Sequence, residues 1–152
     1  MLRERVTRGG YAGFVAAAAT AGALIGFGIA RGAPFQPLNT VAHMVFGTRA
    51  HLMDQFDPLV TPVALALHVT SVTVWGLVFA QLGGRLRSWR LVAAAAVFAG
   101  IAYIVDYHLV PRRFTPGFET FLSSAEIGAI YVILALALAT GVSLARPRER
   151  MG

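Results

Sequence analysis

The chain has 152 residues, of which 57% are hydrophobic and 13% charged, and its mean hydropathy is +0.66. A soluble domain of this size could not bury so much apolar surface, so lipid must cover the remainder. The absence of cysteine excludes disulfides and thiolate metal sites.

The charged residues narrow the class of protein further. All 13 basic residues are arginine, and the net charge is +6. With abundant alanine, glycine and valine, this bias is typical of a GC-rich bacterial genome. The arginines lie at the ends of apolar runs, where membrane topology and anionic lipid head groups account for them. The lipid bilayer is therefore the predicted partner, and nucleic acid is not.

Four apolar runs predict four transmembrane helices, at about residues 11–30, 62–82, 91–110 and 123–145. Each run has the length of about 20 residues that a bilayer core requires. The predicted fold is all-α: a polytopic four-transmembrane-helix bundle that forms a single membrane domain over residues 1–152.

The first run has the features of a span rather than of a signal peptide. It is longer than a typical signal-peptide core, and Arg31 does not fit a cleavage site, which requires small residues. Gly9-x-x-x-Gly13 and Gly22-x-x-x-Gly26 have the spacing that lets a second helix approach the backbone closely.

The first outer loop, residues 32–59, is too polar to span and is the longest connection. Leu38 and Val41 recur at helical spacing, Asn39 is a candidate cap, and Gly47 supplies a stop. We predict a short helix that lies in the membrane interface.

Local signatures predict where the later spans begin and end. Thr61-Pro62 is a cap followed by proline at the first helical position, and Ser123-x-x-Glu126 has capping-box spacing. Pro111 closes the third span.

Arginine counts predict the orientation. Nine of the 13 arginines lie in the N-terminal segment, the turn at residues 83–90 and the C-terminal segment, and four lie in the first and third loops. The positive-inside rule therefore places both termini in the cytoplasm of a bacterial inner membrane.

Four polar side chains are predicted to lie within the bilayer: His68, Tyr103, Asp106 and Glu126. His68 lies roughly 9 Å into the second span by helical rise. Intramembrane ionisable residues are costly and usually mark a site. Structural roles compete with this reading, since His68 could donate a hydrogen bond to Tyr103 or a backbone carbonyl, and Glu126 belongs to the capping box.

A second polar group is expected to converge in or beside the outer loops, and its members are Asn39, His43, His108, Arg112, Arg113 and Glu119. The first loop must cross above the bundle, and its polar groups need partners there. Asp106 is expected to bond to Arg112 or Arg113, with His43 or His108 as the runner-up.

Metal or haem binding is an alternative, because several side chains biased to one side of the membrane could act as ligands: His43, His51, His68, His108 and Asp106. Their spacings form no motif, and haem would need two histidines at matched depth. We therefore predict no cofactor. The chain also has no cysteine nucleophile, Gly-x-Ser-x-Gly elbow or phosphate loop, so no catalytic residue is predicted and an enzyme is not favoured.

The run Val105-Asp106-Tyr107, followed by Pro111, Arg113 and residues 115–119, resembles a group of uncharacterised four-span bacterial membrane proteins. Asn39-x-x-x-His43 and residues 68–71 share the resemblance, which covers roughly residues 39–141.

Some members of that group carry the label sodium:proline symporter, but symporters of that family have many more spans than this chain can hold. Members often have a second histidine before the one that matches His68 and an acid about three turns later. Leu67 and Phe79 stand at those positions here. The resemblance implies a fold and an outer-side polar surface, and no established activity.

The sequence thus predicts an inner-membrane protein that acts by association with itself or with another membrane protein. One alternative is a small proton- or ion-coupled transporter subunit, in which an oligomer would line a path with His68, Tyr103 and Asp106. The other alternative is the metal- or haem-binding protein.

Overall fold

The computed structural model describes residues 2–146. Within this part of the chain there is no strand, and the α-helices are Leu2–Ala30 (α1), Gln36–Asn39 (α2), His43–Phe46 (α3), Val60–Gly83 (α4), Ser88–Ile104 (α5) and Ser124–Leu144 (α6). A π-helical turn, Val105–Leu109, continues α5. The four long helices are apolar enough to cross a membrane, which confirms the predicted all-α bundle.

The helix bounds differ most from the predicted spans at α1, which begins at Leu2 rather than near residue 11. The apolar run marks the part that crosses the bilayer, whereas hydrogen bonding carries the helix further. Arg8 contributes to the longer helix, because its guanidinium donates to the Gly84 carbonyl at 2.9 Å. Arg146 also donates to a carbonyl of this turn, that of Leu86. Hydrogen bonds from α1 and from Arg146, just after α6, therefore hold the turn between α4 and α5.

Helix α1 is the centre of the bundle and packs along both α4 and α6, while α5 packs mainly on α6. The tight turn predicts that α4 and α5 are close neighbours, but they make few contacts with each other. The rings of Trp75 and Phe79 on α4 meet Phe98 on α5, with centroids 5.6 and 5.2 Å apart. A short connection fixes chain direction, but it does not fix which helix faces pack together.

Small residues explain why α1 and α4 pack so closely. A Cβ added at Gly13 would lie 2.5 Å from the Thr73 Cα, and one added at Gly76 would lie 2.4 Å from the Gly13 Cα. The first predicted glycine pair is therefore a contact motif. A Cβ at Gly22 or Gly26 would meet no atom of residues 2–146 within 4 Å, so the second pair makes no such contact there.

The first loop forms a broken helical segment instead of one short interfacial helix. Helices α2 and α3 are separated by a 3-10 turn, and a second 3-10 turn spans Gly47–Leu52. Residues 37–42 are buried and pack against α1 and α4, so the segment covers the end of the bundle. Asn39 is fully buried and donates to the carbonyls of Met53 and Gln55 at 2.9 and 3.2 Å, so it holds the loop rather than capping a helix. Gly47 ends α3 with a φ of +65°, as predicted.

The two predicted helix starts have different outcomes. At α6 the capping box of Ser123 and Glu126 is present, as predicted. At α4 the helix begins at Val60, and Asp57 accepts hydrogen bonds from the backbone of Leu59 and Val60 at 2.9 and 2.7 Å. The Thr61 hydroxyl oxygen accepts a hydrogen bond from the Asp57 backbone N–H at 3.0 Å. Asp57 therefore has the capping role predicted for Thr61.

Candidate functional site

A cavity of about 80 Å³ lies at the loop end, the end of the bundle that carries the first and third loops. Helix α4 contributes His68, Ser71 and Trp75 to its wall, the π-helical turn contributes Asp106, and α6 contributes Tyr131. The two loops complete the wall with the largely apolar residues Val41, Met44, Phe114, Pro116 and Phe118. An apolar pocket with a few convergent polar groups is typical of a small-ligand site.

Asp106 is held by a neutral donor. The Tyr131 hydroxyl donates to Oδ2 at 2.7 Å, and the Trp75 side chain lies near the carboxyl group. The expected bond to Arg112 or Arg113 is therefore wrong. Both arginines are exposed on the turn after Pro111, which carries their side chains away from the bundle interior.

His68 is 5% exposed and lies against α1. Its Nε2 is 3.0 Å from the Thr20 hydroxyl oxygen and 3.3 Å from the Ala17 carbonyl oxygen. Because a carbonyl can only accept, and Thr20 gives its own proton to the Ala16 carbonyl at 2.8 Å, Nε2 is the donor in both contacts. The predicted bond to a backbone carbonyl is present, whereas Tyr103 is not the partner of His68.

Tyr103 belongs to an aromatic cluster behind Asp106. Its ring centroid lies 5.1 Å from that of Tyr107, 5.3 Å from that of Tyr131 and 5.7 Å from that of His108. The Tyr107 hydroxyl is buried and has no hydrogen-bond partner within residues 2–146. The cluster fixes the orientation of Tyr131, and Tyr131 in turn fixes that of Asp106.

Glu126 does not line the cavity. It completes the α6 capping box and forms an ion pair with Arg31 at 2.5 Å, while Arg31 also donates to the Phe121 carbonyl. Glu126 therefore ties the end of α1 to the start of α6, which is a structural role.

The two loops meet at a pair of histidines above the bundle. The rings of His43 and His51 are stacked with centroids 5.1 Å apart, and His51 Nδ1 lies 3.2 Å from the Thr120 hydroxyl. Burial and the neighbouring His43 lower the pKa of His51, and the carboxylate of Glu119 opposes this shift. Gly117 lies against both rings with a φ of +79°, and a Cβ there would be 3.1 Å from His43 Nδ1.

The predicted outer-side group therefore converges only in part. His43 and Glu119 lie at the histidine pair, and His43 Nε2 is 3.5 Å from the Arg112 carbonyl oxygen. Asn39 and His108 have separate surroundings, in the buried first loop and beside Tyr103. Within residues 2–146, no group of three or more metal-ligating side chains lies close enough to hold a metal ion.

Comparison of the chain with protein-family models, with curated proteins and with solved structures gives no match. The resemblance noted from the sequence therefore stays a prediction, and function has to be argued from the cavity itself.

Three residues of the two sites are not among the predicted candidates: Thr20, Trp75 and Tyr131. The sequence offers His51 only as a possible metal ligand. Trp75 lies at i+7 from His68 on α4, a stripe that the sequence shows. Tyr131 is a lone tyrosine within the apolar run of α6, and a buried hydroxyl needs a partner. That need is the signal that could have linked Tyr131 with Asp106.

Proposed function

We propose that this protein binds a small ligand in the cavity at the loop end, as a multi-pass protein of a bacterial inner membrane. The observation that carries the proposal is the placement of Asp106 and His68 in the wall of one cavity. Ionisable side chains in a membrane-spanning helix are costly, and they are retained where they face a site. Neither residue is needed to close a helix end, in contrast with Glu126.

The packing beyond the cavity favours binding over conduction through a single copy. Towards the terminal end of the bundle, Gly9, Gly13 and Gly76 bring α1 and α4 into backbone contact, and Gly141 of α6 packs against Ala12. A Cβ added at Gly141 would lie 2.6 Å from the Ala12 Cα. A transported proton or ion would therefore need a path between copies, as the transporter alternative requires.

The orientation proposed is that both termini and the segment at residues 83–90 face the cytoplasm and the loop end faces outward. Its support is the arginine distribution, because nine of the 13 arginines lie on that side. Reporter fusions at Gly84 and Gly152, the latter outside the described residues, should both give a cytoplasmic signal. A periplasmic signal at either position would reject this orientation.

Ligand binding can be tested through the fluorescence of Trp75, which lines the cavity. The chain has two tryptophans, and Trp89 is 72% exposed, so Trp89→Phe leaves Trp75 as the reporter. Purified W89F protein should show a saturable change with at least one class of small cationic, anionic or neutral compound. Asp106→Asn should weaken the change, and Glu119→Gln, a carboxylate outside the cavity, should not. No saturable change with any class would reject the proposed function.

Association with a second copy or with another membrane protein is proposed as the setting in which the pocket acts. Its support is the large apolar surface, including Phe14, Val97 and Val132, that the bundle leaves exposed to lipid or to another helix. The mass of the protein in lipid nanodiscs should exceed that of one chain. A single-chain mass at all protein concentrations would restrict the proposal to a monomeric pocket.

A further inference from the structure

Three donors in the cavity wall, on Tyr131, His68 and Thr20, are already used within the protein. Tyr131 directs its hydroxyl proton to Asp106, and His68 Nε2 directs its own to the Ala17 carbonyl and the Thr20 oxygen. Thr20 in turn donates to the Ala16 carbonyl. The side-chain donors left for a ligand are those of Ser71 and Trp75.

Acceptors remain on the two ionisable residues. Asp106 Oδ2 receives the Tyr131 hydroxyl, which leaves Oδ1 with free lone pairs. A neutral His68 that carries its proton on Nε2 has an acceptor at Nδ1, and the structure gives Nδ1 no hydrogen-bond partner within residues 2–146. These two free hydrogen-bond acceptors favour a ligand that brings N–H or O–H groups.

The charge of the cavity points to a cation. Among residues 2–146, Asp106 is the acidic residue of the wall and no arginine lines the cavity, and the donor to Asp106, Tyr131, is neutral. An ionised carboxylate in a low-dielectric site is costly without an opposite charge. A cationic ligand would supply that charge.

The rest of the wall distinguishes between kinds of cation. It presents the rings of Trp75, Tyr131, Phe114 and Phe118 and contains few oxygen atoms. Metal cations such as Ca²⁺ prefer about six oxygen ligands, whereas aromatic faces attract organic ammonium groups. A volume of about 80 Å³ suits a group of several non-hydrogen atoms, since about 10–15 Å³ of such volume holds one water.

We propose that the cavity binds a primary or secondary organic ammonium group, with its N–H donors on Asp106 Oδ1 and His68 Nδ1 and its charge against Trp75 and Tyr131. This inference rests on the proposed function and names its ligand class. The same chemistry exists in a free amine and in the head group of phosphatidylethanolamine, so the test has to separate the two sources.

The test measures Trp75 fluorescence of W89F protein in phosphatidylglycerol nanodiscs at fixed pH and ionic strength. Ethylammonium should give a saturable change, while ethanol, acetate and sodium should give none at equal concentration. Tetramethylammonium, which has charge but no N–H group, should bind at least several-fold more weakly. A preference for ethanol or acetate would overturn the ammonium assignment and leave the pocket proposal standing, whereas no response to any compound would reject both.

Two variants and one lipid arm complete the test. Asp106→Asn should weaken ethylammonium binding by about tenfold or more, because charge-assisted hydrogen bonds are the strong ones. Phe114→Leu changes an exposed ring on the third loop, so the fold should survive, and binding should weaken about fivefold through the lost aromatic face. Unchanged affinity in F114L together with normal affinity in D106N would overturn the assignment.

The lipid arm repeats the titration in nanodiscs that contain phosphatidylethanolamine. If the head group is the ligand, Trp75 fluorescence in these nanodiscs should already match the ethylammonium-saturated state, and added ethylammonium should have little effect. If a free amine is the ligand, the titration should be the same in both lipids. Either result supports the ammonium class and identifies its source.

Discussion

Tyr131 on α6 donates its hydroxyl proton to Asp106 in the π-helical turn after α5, at a distance of 2.7 Å between the two oxygens. This bond joins the third and fourth long helices within the bundle. The π-helical turn, in which the Val110 N–H reaches back to the Val105 carbonyl at 3.0 Å, adds a residue to one helical turn. Such turns are frequent at functional sites because they re-aim side chains, and this one carries Asp106 to the cavity.

Removing the Tyr131 hydroxyl should destabilise the protein. In Tyr131→Phe the Asp106 carboxyl group loses its closest donor, so the free energy of unfolding should fall by about 1–2 kcal/mol. Tyr103→Phe is the matched control, because its ring packs in the same cluster while the residue is 37% exposed and is not a donor to Asp106. Unfolding in mixed micelles measures both, and equal losses in the two variants would contradict the assigned role of the bond.

Much of the fold follows from the sequence because its signals are local. The length of an apolar run is set by bilayer thickness, so four spans could be predicted without knowing how they pack. The Ser123 and Glu126 capping box is also a short-range pattern. The start of α1 could not be predicted in this way, because Arg8 is fixed by a carbonyl 76 positions away in the chain.

The candidate site was predicted less completely, because partners depend on helix order. The sequence predicts a bond from Asp106 to arginines near it in the chain, whereas its donor lies 25 positions away on α6. The predicted bond from His68 to a backbone carbonyl is present, but that carbonyl belongs to α1, and Tyr103 on α5 is not its partner. The close glycine contact between α1 and α4 determines which helix His68 faces. The sequence contains two glycine pairs of equal spacing, and nothing in it shows which pair makes the contact.

Thr20 and His68 should be energetically coupled. The hydroxyl oxygen of Thr20 accepts from His68 at 3.0 Å between two buried side chains. Thr20→Val and His68→Leu should each lower the free energy of unfolding. In the double variant the two losses should fall short of additive by about 0.6–1.7 kcal/mol, the range for hydrogen bonds between membrane helices. Strict additivity would show that the observed contact contributes nothing to stability.

Glycine at the contact between α1 and α4 should resist substitution. In Gly76→Ala the new Cβ would lie 2.4 Å from the Gly13 Cα, so the helices must separate and the bundle should lose stability or fail to assemble. Gly22→Ala adds the same group where nothing lies within 4 Å, and higher helix propensity should keep its stability within about 1 kcal/mol of the parent. Thermal denaturation in detergent compares the two, and similar melting temperatures would refute the close packing.

Acid should loosen the loop end through His51. Burial and the neighbouring His43 place the pKa of His51 below its ordinary value of 6.5, while Glu119 acts in the opposite sense. The folded state therefore favours the neutral imidazole, and the unfolded chain binds the proton more readily. The resulting stability is complete above about pH 6.5 and is lost as the pH falls through the folded-state pKa.

The measurement is the melting temperature at pH 7.5 and pH 5.0 for the parent protein, His51→Gln and His108→Gln. Acid should lower the melting temperature of the parent more than that of H51Q, because glutamine cannot acquire the unfavourable charge beside His43. H108Q should behave as the parent does, because His108 lies beside Tyr103 and outside the stacked pair. An equal acid effect in the parent and H51Q would show that another group governs the response. A smaller effect in H51Q alone would assign it to the contact between the two loops, because His51 of the first loop lies 3.2 Å from the Thr120 hydroxyl of the third.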